Sequence, residues 1–443
     1  MTIYALSSGP GLAGVAVIRV SGPETKKVLK NITFLPLPEP KFASLRKFKD
    51  PETKDLIDEG ILLWFPGPQS YTGEDMAELH VHGSKAVIDA IHKSISKIDG
   101  CRLADPGEFT KIAFQNGKIN LLKAESIADL IASETEIQRQ QALKIMFGKS
   151  SDKFNSLRDR LLKILSKVEA KIDFPEDDLP GDVLNNIHSE TKFIREEIEK
   201  ILNDQKVGEI IREGFKIAIV GPTNVGKSSL LNYLSRREVA IVSEIAGTTR
   251  DVIEVHLNLD GYPIVLSDTA GIRESEDEIE KKGIKLALNR AEKADLSIIL
   301  IEPKTVDFTH FLDDILSNKA ILVINKMDLG LDQIAKELKK YNPICISIKE
   351  EKNLDQLVNA IKKKLKNKFN LSGDIFITRE RHRVELENCV EHLISFENKN
   401  SVEDFDKAAE DLRLATRHLG TIVGKVDVEE ILGSIFNDFC IGK

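Results

Sequence analysis

The segment Gly221–Ser228 constrains this chain more than any other, because its sequence, Gly-Pro-Thr-Asn-Val-Gly-Lys-Ser, fits the pattern GxxxxGKS. It follows a short apolar run, Lys216–Val220, and precedes the helical sequence Ser228–Leu231. A strand, a glycine-rich loop and a helix in this order predict a phosphate-binding loop. The glycines let backbone N–H groups point at a phosphate. Lys227 reaches phosphate oxygens, and Ser228 offers a hydroxyl to Mg²⁺.

Two downstream motifs predict that the nucleotide is guanine. The first, Asp268–Gly271, reads Asp-Thr-Ala-Gly; its carboxylate can hold a metal-bound water and its last N–H can reach the γ-phosphate. The second, Asn325–Asp328, reads Asn-Lys-Met-Asp. Asp328 can accept from N1–H and the 2-amino group of guanine, whereas adenine lacks both donors and would leave the carboxylate unpaired. Ser347–Lys349 follows the next strand where GTPases usually carry Ser-Ala-Lys, and we expect the backbone N–H of Ile348 to make that contact.

Length and composition set the outer limits. A chain of 443 residues predicts roughly three domains at about 150 residues each. We expect a cytoplasmic protein, because the N-terminus has no basic n-region and no apolar run is long enough to cross a membrane. The four cysteines form no CxxC pair, which argues against a disulfide framework or a zinc site. The net charge of −8 argues against nonspecific coating of nucleic acid.

The pattern of apolar residues divides the chain into four stretches and predicts a multidomain α/β protein. Short apolar runs between Gly/Pro turns indicate an α+β domain at 1–118. Helical periodicity predicts a helical domain whose first part is 119–213, with a break near Gly148, and whose second part is 369–443. Between them, strands alternate with helices over 214–368, which is typical of an inserted, Ras-like doubly wound domain. Two separate helical domains are the alternative to one interrupted domain.

The machinery for hydrolysis departs from that of Ras. The residue after Gly271 is Ile272, where Ras-like proteins carry a Gln that positions the attacking water. Another group must therefore assist hydrolysis. The segment 273–280 carries five acidic residues, most of which we interpret as solvated surface charge.

Motifs around the nucleotide site and at both ends of the chain carry a resemblance to a known family. They are Val15–Gly22, Tyr71–Asp75, Glu78–Gly83, Asp105–Thr110, Ala113–Lys118, Ala124–Ile131, Gly247–Asp251 and Phe439–Lys443. Together they resemble the TrmE/MnmE-type tRNA-modification GTPases over essentially the whole chain. The resemblance implies that the α+β domain at 1–118 binds folate and forms a homodimer, and that the chain ends in the family's Cys-Ile-Gly-Lys tail.

The resemblance also assigns a folate site. By position, Arg19, Glu78, Lys118 and Lys443 match the residues that contact a tetrahydrofolate derivative, either 5-formyl- or 5,10-methylene-tetrahydrofolate. The chemistry is consistent: cationic side chains suit the glutamate tail, and a carboxylate can accept from the pterin N–H groups. Cys440 lies beside this site in the family and is a candidate catalytic thiol; a buried structural cysteine is the alternative.

Potassium and magnesium are the metals that the resemblance implies. Asn224, Ser243, Ile245 and Thr248 match K⁺ ligands, Ser228 and Thr249 match Mg²⁺ ligands, and Glu280 matches the glutamate that orients the attacking water. A K⁺ ion beside the phosphates neutralises charge where other GTPases insert an arginine. The residues predicted to contact GTP or its ions are Asn224, Val225, Gly226, Lys227, Ser228, Ser229, Ser243, Glu244, Ile245, Ala246, Gly247, Thr248, Thr249, Asp268, Thr269, Ala270, Gly271, Asn325, Lys326, Met327, Asp328, Ser347, Ile348 and Lys349.

The predicted function is therefore modification of the wobble uridine of tRNA, at C5, by an aminomethyl-type group. The resemblance implies a flavin-containing partner of the MnmG/GidA type in a heterotetramer, and the flavin belongs to that partner because this chain has no GxGxxG after a strand. A ribosome-assembly GTPase that binds rRNA is the main alternative. A structural scaffold with an inactive nucleotide site is a second one, and the intact motifs argue against it.

Overall fold

An alternation of buried and less buried residues builds the N-terminal sheet of this computed structural model. Along one strand, Ala16, Ile18 and Val20 face a buried core, while the neighbouring Val17 and Arg19 face the other side. The strands are β1 (Thr2–Leu6), β2 (Ala13–Ser21), β3 (Ser44–Lys49), β4 (Leu56–Phe65), β5 (Met76–Gly83) and β6 (Cys101–Leu103). Their order is β3-β4-β5-β2-β1-β6, and only the β1–β6 pair is parallel.

The structure describes residues 1–173, 181–222, 224–237, 239–241, 254–268, 293–303, 319–330, 338, 341–369, 374–399, 405–426, 432, 435, 436, 439 and 442. In the N-terminal part, α1 (Thr25–Thr33) and α2 (Lys85–Ser96) pack on the core face of the sheet, whereas α3 (Glu108–Gln115) packs on the face that carries Arg19. The helix α2 begins after Ser84, whose hydroxyl accepts from the Val87 N–H at 3.3 Å.

The helical region that follows has more breaks than the sequence predicts. The helices are α4 (Leu121–Ile131), α5 (Glu136–Met146), α6 (Lys149–Asp173), α7 (Gly181–Leu202) and α8 (Val207–Glu213). The break near Gly148 is present, at a φ of +101°. A second break separates α4 from α5, where the side chain of Gln138 accepts from the N–H groups of Glu134 and Thr135. A side-chain cap at the start of α5 thus interrupts the predicted helix, and neither Gly nor Pro is present to signal the break.

The inserted domain is the predicted doubly wound sheet. Its elements are β7 (Phe215–Val220), α9 (Lys227–Arg237), β8 (Val239–Ile241), β9 (Glu254–Leu259), β10 (Tyr262–Asp268), β11 (Leu296–Ile301), β12 (Ala320–Ile324), β13 (Ile344–Cys345) and α10 (Leu354–Phe369). The sheet order is β13-β12-β11-β7-β10-β9-β8. The five strands from β13 to β10 are parallel, and β9 and β8 extend them as an antiparallel edge that the sequence pattern did not predict.

Helices from before and after the inserted domain pack together. The chain continues through α11 (Glu380–Asn398) and α12 (Phe405–Val423). Arg413 of α12 donates to Glu169 of α6 at 2.8 Å, and the His188 ring of α7 stacks on Phe396 of α11 with centroids 5.3 Å apart. That these helices form one interrupted domain stays a prediction. A further helix is predicted for 428–439; there the structure describes Leu432, Ile435, Phe436 and Phe439, all buried.

Packing divides the chain into two compact units. One contains Met1–Ala128, Ile145–Thr191 and Glu391–Lys443, and the other contains Asp129–Lys144 and Lys192–Val390. The functional boundaries at 118, 213 and 368 stay a prediction. Among the described residues, no helix is long and apolar enough to cross a membrane.

Candidate functional site

The phosphate loop joins β7 to α9, as the sequence predicts. A Cβ atom at Gly221 would lie 2.0 Å from the carbonyl oxygen of Leu300, so only glycine fits beside the neighbouring strand β11. Gly226 has a φ of +104°, and a Cβ atom there would lie 2.6 Å from Nδ2 of Asn325. Gly221 is therefore required by the close approach of Leu300, and Gly226 by both its positive φ and the close approach of Asn325. Asn224 adopts the left-handed region too, with a φ of +59°, and is exposed.

Lys227 begins α9 and its side chain lies against the loop. The residue is only 8% exposed, and Nζ donates to the carbonyl oxygens of Gly221 at 2.9 Å and Pro222 at 2.6 Å. Ser228 and Ser229 follow in the first turn of α9 and are exposed. Backbone N–H groups at a helix N-terminus and a buried ammonium group form a site suited to phosphate.

Asn325 connects three of the predicted nucleotide-binding segments. It is 4% exposed; Nδ2 donates to the carbonyl oxygen of Val225 at 2.8 Å, and Oδ1 accepts from the N–H of Ile348 at 3.2 Å. The phosphate loop, the segment Asn325–Asp328 and the segment Ser347–Lys349 are therefore held together by one amide. The Ile348 N–H, expected from the sequence to face the base, donates here to Asn325.

Asp328 is held in place by a buried hydroxyl. Ser347 is fully buried, and its Oγ donates to Oδ1 of Asp328 at 2.7 Å. This hydrogen bond lowers the pKa of Asp328 below its ordinary value, and the nearby charges of Lys349 and Lys352 act in the same direction. The carboxylate is therefore ionised at neutral pH and ready to accept hydrogen bonds.

Lys326 also connects its own segment to the phosphate loop and to the end of β11. The sequence pattern did not predict these contacts. Its Nζ donates to the carbonyl oxygen of Asn224 at 3.0 Å and forms an ion pair with Glu302, which follows β11. Between Lys326 and Asp328, the Met327 N–H donates to the carbonyl oxygen of Ile346 at 3.1 Å. Glu302 directly follows a buried strand, and a charged residue at that position is the sequence signal that could have identified it as part of the site.

Several predicted residues lie outside the described residues. They are Ser243, Glu244, Ile245, Ala246, Gly247, Thr248, Thr249, Thr269, Ala270, Gly271, Glu280, Cys440 and Lys443. Asp268 is the last residue of β10, where its backbone is the partner of Ile219 in β7. The strand that leads to Asp268 thus runs beside the strand that leads to the phosphate loop.

The N-terminal sheet brings Arg19 and Glu78 together as partners on β2 and β5. Nε and Nη2 of Arg19 donate to Oε1 of Glu78 at 3.2 and 2.9 Å, and each side chain is 17% exposed. The guanidinium carbon lies 5.4 Å from the ring centroid of Tyr71 and 5.7 Å from that of Phe109. Oε2 of Glu78 is 3.4 Å from Nε2 of His80.

Tyr71, Phe109 and His80 were not predicted to be site residues. His80 lies two residues from Glu78, so the period of the strand was a signal that it shares this face. Burial raises the pKa of Tyr71, whose hydroxyl is 2.9 Å from that of Thr110. The Tyr71 ring therefore stays neutral and fixed beside the guanidinium group.

Lys118 and the C-terminal tail lie against other parts of the same unit. A Cβ atom at Gly73 would lie 2.9 Å from Cε of Lys118, so the lysine stem packs against the motif Tyr71–Asp75. Near the C-terminus, the carbonyl oxygen of Gly442 accepts from Oγ of Ser7 at 2.7 Å. Gly442 is buried with a φ of +99°, and a Cβ atom there would lie 2.0 Å from the Leu6 carbonyl oxygen. The end of the chain is thus fixed at the end of β1.

Comparison with known proteins covers the whole chain. Residues 2–118 match the family described as GTP-binding protein TrmE N-terminus, and residues 121–440 match the family described as MnmE helical domain. The chain is 69% identical over 443 residues to a Pelagibacter ubique protein named tRNA modification GTPase MnmE, with both chains covered completely. It is 45% identical over 446 residues to a Rickettsia bellii protein of the same name, again with complete coverage of both.

One solved structure is similar to a part of the chain. The G domain of the T. maritima FeoB iron transporter is 28% identical and covers 34% of this chain and 98% of that one, with a TM-score of 0.27. At that TM-score the similarity does not establish the fold, which the strand order described above establishes by itself.

Proposed function

Since this chain belongs to the MnmE family of tRNA modification GTPases, we propose that it is a potassium-dependent GTPase that modifies C5 of the wobble uridine of certain tRNAs. A tetrahydrofolate derivative provides the one-carbon unit of an aminomethyl-type group, and a flavin-containing partner of the MnmG/GidA type acts with this chain. The observation that carries the proposal is the similarity over the whole chain, which includes the N-terminal domain.

The described nucleotide-site residues support GTP. The lowered pKa of Asp328 keeps the carboxylate anionic, so that it accepts from the N1–H and 2-amino groups of guanine. Lys227 lies within the phosphate loop, and we expect its ammonium group to exchange the two loop carbonyls for phosphate oxygens. Asn325 belongs to the same segment as Asp328 and is hydrogen-bonded to Val225 in the phosphate loop and to Ile348. It therefore keeps the base-binding segments at a fixed distance from the phosphate loop.

The donor set fits Mg²⁺ and K⁺. Ser228, an exposed residue in the first turn of α9, carries a hydroxyl group, and Asn224, an exposed residue of the phosphate loop, carries an amide oxygen. Hydroxyl, amide and carbonyl oxygens are the ligands that hard cations prefer. Thr249 is the second proposed Mg²⁺ ligand, and Ser243, Ile245 and Thr248 complete the proposed K⁺ site. When bound, the K⁺ ion supplies positive charge beside the phosphates.

The Arg19–Glu78 pair supports the folate site. Oε1 of Glu78 accepts both hydrogen bonds from Arg19, and Oε2 lies 3.4 Å from Nε2 of His80; a second lone pair on Oε2 remains to accept from a pterin edge. The rings of Tyr71 and Phe109 hold the guanidinium group beside this carboxylate. Lys118 and Lys443 provide cations for the glutamate tail of the cofactor. Cys440 stays a candidate catalytic thiol beside this site.

Exposed apolar side chains support the homodimer. Phe42, Leu45 and Leu56 are each more than half exposed, and they lie on or beside the edge strand β3 and its neighbour β4. Ile61, opposite Leu45, is 41% exposed. Apolar side chains clustered on an exposed sheet edge are typical of protein interfaces. Sedimentation of the full chain tests this assignment: replacement of Leu45 by Glu is expected to give a monomer.

The alternative is a ribosome-assembly GTPase that binds rRNA. The two functions differ in their need for folate, because a GTPase that only times an assembly step needs no one-carbon unit. A scaffold would neither bind folate nor hydrolyse GTP, so an assay of GTP hydrolysis separates it from both.

The test is a calorimetric titration of the full chain with 5-formyltetrahydrofolate. We expect binding in the wild type and at least about tenfold weaker binding after Glu78→Gln, because a hydrogen bond to a charged acceptor is lost. The matched control is Asp58→Asn, since Asp58 is another carboxylate of this sheet that is hydrogen-bonded to a histidine, His82, at 2.8 Å. Absence of folate binding by the wild type would refute the proposal. Mass spectrometry of tRNA nucleosides from cells that lack this protein tests the modification itself.

A further inference from the structure

The chain enters and leaves the inserted domain through one tightly packed region, here called the neck and consisting of residues 202–214 and 374–383. A Cβ atom at Gly208 would lie 1.8 Å from the carbonyl oxygen of Ile377, so the two backbones are in direct contact. The neck thus brings together segments that are separated in sequence by the whole nucleotide domain.

A buried ionic network reinforces the neck. Nε and Nη2 of Arg383, in α11, donate to the two carboxylate oxygens of Glu209, in α8, at 2.8 and 2.9 Å. Nη2 also donates to Asp204 at 2.7 Å, and Nη1 donates to the carbonyl oxygen of Leu202 at 2.9 Å. The carboxylates raise the pKa of Arg383 above its ordinary value, so its charge is permanent.

Asp129, in the last turn of α4, contacts both halves of the neck with a single atom. Its Oδ1 accepts from Nε of Arg212 at 3.0 Å and from Nη2 of Arg379 at 2.7 Å. Arg212 lies just before β7, and Arg379 lies just before α11. The side chains of Asp129 and Arg379 are only 15% and 14% exposed. One oxygen therefore fixes the incoming and the outgoing chain to the same point.

The neighbouring α5 region adds contacts to the same domain. Nε2 of Gln141 donates to the carbonyl oxygen of Gly208 at 3.0 Å, and Nε2 of Gln138 donates to that of Arg212 at 3.3 Å. Glu134 lies 3.3 Å from Nδ1 of His256, in β9, the strand that follows the segment 242–253. Residues 129–141 thus contact the nucleotide domain at the neck and at the strand that follows the predicted ion-binding loop in sequence.

We propose that Asp129 is a positioning residue that fixes the nucleotide domain to α4 and thereby couples GTP hydrolysis to the modification reaction. Through α8 and Gly214, the neck continues directly into β7 and the phosphate loop. In the other direction along the chain, α4 begins at Leu121, three residues after Lys118. The inference rests on the proposed function, in which one protein hydrolyses GTP and modifies tRNA.

A purely stabilising role explains the network less well. Buried ion pairs contribute little net stability relative to apolar side chains of the same volume, because both charges lose their hydration. What they do provide is a defined geometry, and here the geometry joins two ends of an inserted domain. None of the neck residues belongs to the predicted nucleotide site, so their loss leaves the hydrolytic groups unchanged.

The experiment measures both activities of the full chain carrying Asp129→Asn. We expect the GTP hydrolysis rate in K⁺ to stay within about twofold of wild type, while tRNA modification in cells that lack the native protein falls at least about tenfold. The matched control is Glu169→Gln, which removes another Arg–carboxylate contact between helices from before and after the insertion, within the other compact unit. The control is expected to retain both activities.

Each outcome decides the matter. Loss of modification with retained hydrolysis supports the proposal, whereas wild-type modification by Asp129→Asn, or equal losses of hydrolysis, modification and thermal stability, overturns it. If Asp129→Asn does not fold, Arg212→Gln, which keeps the pair with Arg379, is measured in the same way and judged by the same outcomes. Failure of the wild type to restore modification would instead refute the proposed function.

Discussion

Replacing Asn325 by Ala should separate the nucleotide-binding loops without touching a residue that binds phosphate. The substitution removes the hydrogen bonds to the Val225 carbonyl and the Ile348 N–H and leaves both groups without this partner in a buried site. A buried polar group that loses its partner costs about 1–3 kcal/mol. The two together amount to roughly 2–6 kcal/mol, and a loss of about 2.7 kcal/mol from within that range weakens GTP binding by about a hundredfold.

The assay is a titration of the full chain with a fluorescent GTP analogue, together with thermal unfolding. Asn325→Asp keeps the acceptor for Ile348 but places a carboxylate against the Val225 carbonyl, so we expect a loss at least as large. The control is Asn258→Ala, which removes a hydrogen bond from the Gly261 N–H at 2.8 Å in the β9–β10 turn and should leave GTP affinity unchanged. If Asn325→Ala binds GTP within threefold of wild type and unfolds at the same temperature, the loops are positioned by other contacts.

Four further predictions follow from the site. Asp328→Asn should weaken GTP binding by about 10- to 100-fold and favour xanthosine nucleotides, since a charged acceptor becomes an amide; unchanged GTP affinity would place the base elsewhere. GTP hydrolysis should be fast in K⁺ and slow in Na⁺, and Asn224→Ala should abolish the difference; equal wild-type rates at matched ionic strength would rule out the potassium site. Glu280→Ala should lower kcat by roughly 10²–10⁴-fold with little change in nucleotide affinity, because a group that orients water acts mainly in the transition state; a wild-type rate would return Glu280 to an ordinary surface acid. Deletion of Cys440–Lys443 should abolish tRNA modification and weaken folate binding while hydrolysis continues, and Gly442→Ala should act in the same direction because its Cβ would lie 2.0 Å from the Leu6 carbonyl oxygen; normal modification by both variants would remove the tail from the site.

Local sequence signals predicted the elements of the nucleotide domain well. The phosphate loop depends on a strand, two glycines and a helix that are adjacent in sequence, so the pattern contains the structure. The antiparallel edge β8–β9 was not predicted because β8 is only three residues long and adds no periodic signal. The break between α4 and α5 was missed for a related reason, since Gln138 ends the run by accepting backbone hydrogen bonds without a Gly or Pro.

The roles of site residues were harder to predict than their identities. The motif marks Asn325, but its contact with Val225 spans 100 residues and depends on the order of the strands. The contact between Ser7 and Gly442 spans 435 residues and joins the two ends of the chain. Stacking of Arg19 on Tyr71 and Phe109 likewise depends on three separate segments. Such contacts follow from tertiary packing, which a pattern along the sequence does not contain.

The insertion of the nucleotide domain has a consequence for how the chain folds. Arg413 and Glu169, which join α12 to α6, are separated by 244 residues. Closing a loop of that length as a flexible chain is entropically costly and slow. If the nucleotide domain condenses first, contact between Gly208 and Ile377 brings the two ends of the loop together and shortens the remaining search. The helices on either side then associate last, so their assembly reports that the nucleotide domain is already folded.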